Sequence, residues 1–163
     1  MPRVSSKGLT FLEVILITGI LALVATIMIP RMLASNNSLS VDTYSKEVLN
    51  LLQTVQTQSK SIQRSLNVSI NINQANMITS ISTDLPGHLK GTSITKKVSF
   101  PSNIIASSNA QITHLTFKPD RSWEAFKNTT ALSLSTLSLS LESSSFSKHI
   151  ILYEQSHSIQ LIE

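Results

Sequence analysis

The sequence predicts an α+β chain: a long N-terminal helix, membrane-spanning in its first half, followed by an antiparallel β domain. Three observations carry the prediction. Apolar residues are concentrated near the N-terminus, a helical period follows from about Ser40 to Arg64, and from Leu66 the period falls to two. A mean hydropathy of only +0.15 therefore averages two unlike segments. At 163 residues the chain has room for one ordinary domain or a small domain with an appendage.

From Val14 to Ile29 the chain reads VILITGILALVATIMI, without a charge. Extended back to Leu9, it is interrupted by one ionisable side chain, Glu13. A helix of about 21 residues spans about 31 Å, close to the hydrocarbon thickness of a bilayer. A core helix of that length would show a polar face, and this one shows almost none. Arg3, Lys7 and the starting amine lie before the run, while Arg31 is the near charge after it. The positive-inside rule then places Met1 to Gly8 in the cytoplasm and the chain beyond Arg31 across the membrane. The competing reading is a cleaved secretory signal. Its apolar core would be shorter, and Pro30-Arg31-Met32-Leu33-Ala34 offers no clean A-x-A site.

Glu13 is the anomaly of this segment. A carboxylate at the centre of an apolar helix costs about 2.5–3.5 kcal/mol on insertion scales, so it calls for a partner. No Lys or Arg lies within a turn or two on the same helix. Cleavage after Gly8 would expose a new α-amino group on Leu9, four residues away at similar depth. A carboxylate snorkelling to the interface in a lone anchor is the plainer account.

Beyond the span, Pro30 removes a backbone donor and should kink or loosen the helix. Ala34–Ser38 is a second weak point, rich in capping residues. Val41, Tyr44, Val48, Leu51, Val55, Ile62 and Leu66 then recur at spacings of three, four or seven, an amphipathic stripe suited to packing on a sheet. Leu66, Val68, Ile70 and Ile72 alternate with polar residues, Asn73–Asn76 offers a turn, and Met77–Ile81 a return strand. Asp84-Leu85-Pro86-Gly87 reads as a break. Further strands are predicted at Ser93–Phe100, Gln111–Phe117, Leu132–Leu141, Lys148–Glu154 and Ser158–Ile162. Leu132 and Leu134 have one parity and Leu137, Leu139 and Leu141 the other, so a β-bulge near Thr136 is expected to restore one face. Lys118–Ser122 reads as a turn, and the last two strands as a hairpin across Gln155-Ser156-His157.

Lys7-Gly8-Leu9-Thr10-Phe11-Leu12-Glu13-Val14 resembles the processing site of type IV pilins and pseudopilins. That family has a short basic leader ending in Gly, then a mature chain with Thr second and Glu fifth. Gly8 matches the last leader residue, Leu9 the mature first residue, and Glu13 the fifth, although Leu9 stands where Phe is usual. Pro30 falls where many pilins also carry Pro. More narrowly, a helix running into a hairpin and a segment like Leu115–Asp120 before the last strands resemble the GspH/FimT kind of minor pseudopilin. There a Gly usually follows the Asp of that turn, and Arg121 stands in its place.

The resemblance implies a type IV pilin-like fold divided into a leader at 1–8, a membrane and filament-core helix at 9–33, an amphipathic exported helix at 34–66 and a β domain at 67–163. It implies that a prepilin peptidase cuts between Gly8 and Leu9 and N-methylates Leu9. Glu13 would then pair with the N-terminal ammonium of a neighbouring subunit, an attraction strengthened by low dielectric. Implied partners are other pseudopilins or pilins, the peptidase and an inner-membrane assembly platform, with the C-terminal domain in the periplasm. The function implied is that of a minor pseudopilin of a type II secretion system. The alternative is a minor type IV pilin serving pilus assembly or DNA uptake.

Composition excludes other classes. With no cysteine there is no disulfide framework, thiolate metal site or lipidated cysteine. G-x-S-x-G and phosphate-binding glycine loops are absent among four Gly, and the four His lack metal-ligand spacing. No catalytic residue, metal or cofactor is expected. Asp120 and Glu124 are too few oxygens for Ca²⁺. For nucleic acid the candidates are Lys96, Lys97, Lys118 and Arg121, with Lys90 and Lys127 beside them. Edge-strand lysines that deter aggregation are the blander account. Removing Arg3, Lys7, Glu13 and Arg31 lowers the net charge from +4 to +2, which weakens the case for a polyanion.

Overall fold

The computed structural model describes residues 10–87, 92–144 and 146–162, with side chains left aside for residues 30–37. Gly8, Leu9, His88 and Lys90 lie outside the described residues. The chain divides into two compact units, Met1–Asn36 and Asn37–Glu163.

Helix α1 runs over 52 residues, Phe11–Ile62. Its start follows from Thr10 and Glu13. The Thr10 hydroxyl accepts the Glu13 backbone N–H at 3.3 Å, and Thr-x-x-Glu is the sequence pattern of a capping box. Glu13 also sits in the first turn, where a negative charge complements the helix dipole. The helix is unbroken across Pro30 and Ala34–Ser38, the two predicted weak points. It ends in a Schellman arrangement. Gln63 takes a left-handed φ of 54°, its N–H reaches the Lys60 carbonyl at 3.3 Å, and the Arg64 N–H reaches the Ser59 carbonyl at 3.1 Å.

In the first unit, Phe11–Ile29 is long and apolar enough to cross a membrane, with a mean hydropathy of 2.6 and none of it buried. Its threonines spend their hydroxyls on the helix itself. Thr18 bonds the Val14 carbonyl at 2.9 Å and Thr26 the Leu23 carbonyl at 2.7 Å, which leaves no side-chain donor unsatisfied there.

The second unit packs the rest of α1 on a ten-stranded antiparallel sheet. The strands are β1 Leu66–Ile72, β2 Ile78–Pro86, β3 Ser93–Ser99, β4 Ile105–Ser108, β5 His114–Phe117, β6 Trp123–Lys127, β7 Thr130–Leu132, β8 Thr136–Ser143, β9 Phe146–Tyr153 and β10 Ser158–Ile162. Their order is β10-β9-β8-β4-β2-β1-β5-β6-β7, with β3 beside β2. From the helix, Val41, Val48, Leu52 and Val55 enter one core with Val68, Ile70, Leu115, Phe117, Leu139 and Ile150 from the sheet. The buried helical positions 41, 45, 48, 52, 55 and 59 recur at steps of four and three, the period of one helix face, with Leu51 buried beside them.

Four expectations are corrected. Two stripe positions are filled by Ser45 and Ser59, while Ile62 is 37% exposed. These serines fit because each hydroxyl is satisfied, Ser45 by the Val41 carbonyl at 2.6 Å and Ser59 by the Lys118 carbonyl at 2.9 Å. Asp84-Leu85-Pro86 is not a break but the end of β2, where Leu85 pairs with Ile94 and is 3% exposed. The parity switch between Leu134 and Leu137 marks no bulge. The chain leaves β7 at one end of the sheet and re-enters as β8 near the other. A register shift does occur in β1, between Asn71 and Ile72. Finally, β4, β6 and β7 were not predicted as separate strands.

Candidate functional site

Two regions hold the residues that the sequence singles out. At the helix start, Glu13 is exposed and its backbone is fixed by the Thr10 cap. Among the described residues no side chain is placed as its ionic partner. A partner outside the described residues or from another chain is what the sequence reading requires of it.

The second region is the surface of α1 between Glu47 and Lys60, with the strands and turns beside it. The β5–β6 turn is built by Asp120, whose Oδ1 accepts the Ser122 N–H at 2.9 Å and the Ser122 hydroxyl at 2.6 Å. Those bonds hold its carboxyl below the usual carboxylate range. The turn forces Arg121 to a φ of 72°, the left-handed conformation that glycine adopts freely. Arg121 thus occupies a glycine-like backbone, at the position where the sequence resemblance implies a glycine. The β9–β10 turn does the same at His157, φ 50°. Both turns are fastened to the helix by one side chain. The Gln56 amide donates to the Arg121 carbonyl at 3.1 Å and the His157 carbonyl at 2.9 Å.

The candidate cations and Lys127 do not share one environment. Lys118 is committed to Glu124 across the hairpin, and that carboxylate raises its pKa. Lys127 donates to Gln111 at 2.7 Å. The side chains of Lys96 and Lys97 form no hydrogen bond or ion pair among the described residues, and the two residues line a cavity of about 330 Å³ with Glu47, Asn50, Leu51 and Thr54 of the helix. Arg121 lines a second cavity, of about 320 Å³, with Gln53, Gln56, Thr57 and Lys60. A third, lined by Asn50, Gln53, Thr54, Thr57 and Gln58, shares residues with both. The three adjoin as a shallow trough along α1, with β3 at Lys96 and Lys97 at one end and Lys60 and Arg121 at the other.

Sequence reasoning missed the helix side of this trough. Asn50, Gln53 and Thr57 are ordinary solvent-face residues until β3 and the β5–β6 turn are placed beside them. It also missed the Asp42 junction. Asp42 Oδ1 meets Lys148 of β9 at 2.7 Å and its Oδ2 meets Lys46 at 2.6 Å, and the two ammonium groups, Lys148 first, hold its carboxyl below the ordinary value. Among the described residues no group of three or more His, Asp or Glu could hold a metal ion. Asp120 is occupied by Ser122 and Glu124 by Lys118.

No protein-family model matches the chain, and no curated protein does. Solved structures do. Two crystal structures of the type IV minor pilin FimU of Pseudomonas aeruginosa PAO1 superimpose on it with a TM-score of 0.53 each. Sequence identities are 14% and 13%, over 75% and 76% of this chain and 92% and 88% of FimU. The fold is therefore the type IV pilin fold, an apolar N-terminal helix continued into a helix packed on an antiparallel sheet.

Proposed function

We propose that this chain is a minor subunit of a type IV pilin-like filament, a structural protein and not an enzyme. The single observation behind the reading is the unburied apolar span Phe11–Ile29 opening on Glu13 and continuing into a pilin-fold β unit. Nineteen apolar-run residues with no protein cover need lipid or sister helices around them. In this reading a prepilin peptidase on the cytoplasmic face of the inner membrane cuts between Gly8 and Leu9 and methylates the new amine. Glu13 pairs with the ammonium of a neighbouring subunit while the β unit stands in the periplasm. The sequence resemblance supports a type II secretion pseudopilus. The likeness to FimU supports a type IV pilus equally, and loss of secretion or of pilus function on deleting the gene separates the two machines.

Processing and assembly are tested on the residues that would perform them. Replacing Gly8 with Glu should leave a heavier, unprocessed form in the membrane, and unchanged mobility on a gel would refute the cleavage. Glu13 has two candidate duties, because a capping residue and a charge partner would sit at the same position. Glu13→Gln keeps a side chain suited to the cap and removes the charge. Loss of filament incorporation in Glu13→Gln, with membrane insertion intact, is the expected outcome. Normal incorporation of that variant would leave Glu13 as a cap alone.

A further inference from the structure

The trough on α1 has strand β3 at one end. Strand β3 pairs with β2 from Ser93↔Pro86 to Ser99↔Ser80, and its other edge pairs with no described strand. Six of its seven residues are exposed, Val98 being the buried one. An unpaired edge of seven residues presents a row of backbone donors and acceptors and is a template for another strand. The register sets Lys96 across from Thr83 and Lys97 across from Ser82, so the two ammonium groups leave β3 on opposite faces. Lys96 shares the face of the buried Val98, and this stretch of β3 lines a cavity with Glu47, Asn50 and Thr54 of α1. Glu47 is the acidic residue lining that cavity, and Lys97 leaves β3 on the other face.

We propose that this edge is a docking site for an extended acidic peptide segment of a partner protein, which adds to β3 as an extra strand. The segment carries two adjacent carboxylates, one for each face, so that Lys96 and Lys97 read neighbouring residues. Its helix-side groups meet the side chains of Asn50 and Thr54, which supply amide and hydroxyl bonds without charge. A second copy of this chain is a poor occupant, because its sequence has no two adjacent acidic residues. A nucleic acid is a poor occupant for a different reason. None of the residues lining the three linked cavities is aromatic, so there is no platform for base stacking, and a free strand edge offers a nucleic acid little that a peptide would not use better. The site stands on the β unit and does not depend on whether the chain enters a filament.

The test uses the full chain in detergent micelles and three probes: the capped octapeptide Ser-Thr-Val-Glu-Glu-Val-Thr-Ser, the same peptide with both Glu replaced by Gln, and a single-stranded oligothymidine. Binding is read by titration, and hydrogen exchange is followed at the β3 amides. The acidic peptide should slow exchange along β3 and bind at least tenfold tighter than the Gln peptide, with that advantage lost in the Lys96→Gln, Lys97→Gln double variant. Absence of β3 protection at saturating peptide, or equal binding of both peptides, overturns the proposal. So does tighter binding of the oligothymidine. If the lysines act only as guards of the edge, the double variant self-associates and neither peptide is bound, which overturns it too. The double variant's circular dichroism and melting point, unchanged, exclude a folding defect as the cause of any loss.

Discussion

Two stretches of the same helix treat their apolar side chains in opposite ways. Over Phe11–Ile29 none is buried, and Leu21, Leu23 and Ile27 stand 61%, 65% and 53% exposed. Between Val41 and Val55, Val48, Leu52 and Val55 are at 0%. Both stretches are helical, so the difference is not one of backbone propensity. It lies in who supplies the cover. The second stretch finds its apolar partner in its own chain, and the first must find it in lipid or in other helices. The capping pair Thr10 and Glu13 and the self-bonded Thr18 and Thr26 stabilise the exposed stretch as a helix without any such partner. Hydrophobicity alone does not distinguish anchor from core, whereas the presence of polar residues at every third or fourth position does.

The contrast can be broken most forcefully at Leu52. Leu52→Ala should destabilise the second unit by about 2–5 kcal/mol, seen as a lower melting temperature of the near-ultraviolet signal. Leu21→Ala should leave that melting temperature unchanged, because no protein atom of this unit is lost from contact. Equal shifts for the two variants would mean that the first stretch is covered by protein after all.

Gln56 sharpens the comparison next, since the helix is held to its sheet by polar bonds as well as by the core. Gln56→Ala removes two hydrogen bonds, each worth about 0.5–1.5 kcal/mol. It should loosen both turns together, with faster hydrogen exchange in the β5–β6 and β9–β10 hairpins. Exchange rising in one turn and not the other would show that the clamp is not shared. A gain is expected at Arg121, where glycine relieves a left-handed backbone. Arg121→Gly should raise stability by roughly 1 kcal/mol, read from a denaturant midpoint.

The smallest effect concerns pH. Asp42 has a folded-state pKa below its ordinary value, with the Lys148 bond as the first cause and Lys46 as the second. Its contribution is therefore complete above the ordinary Asp range and is lost as pH falls through the lower folded-state value. Acidification below about pH 4 should weaken the join between α1 and β9, and Asp42→Asn should flatten that dependence. A steeper acid dependence in the variant would contradict the assignment.

Much of this architecture was legible because local chemistry and final burial agree. Val68 and Ile70 alternate with exposed neighbours and reach 0% and 4% exposure, as a half-buried strand requires. Asn73 turns the first hairpin with its own carboxamide, whose Oδ1 accepts the Ala75 and Met77 N–H groups at 3.0 and 2.9 Å. Where the reading failed, polar residues had taken structural places by finding distant partners. Ser59 reads as a solvent-face serine until Lys118, 59 residues later, brings it a carbonyl. The clamp at Gln56 joins positions 65 and 101 residues away, beyond any local pattern. The leucines at 132 and 137 differ in parity because they belong to strands far apart in the sheet, and no periodicity reveals a change of partner. For the candidate site, Lys118 looked equivalent to Lys96 and Lys97. Only the hairpin register, which sets Glu124 across from Thr116, brings a carboxylate within its reach.

The Gln56 clamp also has a mechanical meaning. A pull on α1 along its axis, toward its N-terminus, would try to slide the helix past the sheet. Sliding by one helical turn, about 5.4 Å, must break the bonds of Gln56 to both hairpins, the bond of Ser59 to Lys118 and the bridge from Asp42 to Lys148 at once. These fastenings are spread along the helix from residue 42 to residue 59, a length of about 25 Å. Tension then reaches the strands as shear shared among several bonds, not as peeling of one bond after another. An axial load on this part of the helix is thus shared among the β5–β6 turn, the β9–β10 turn and β9.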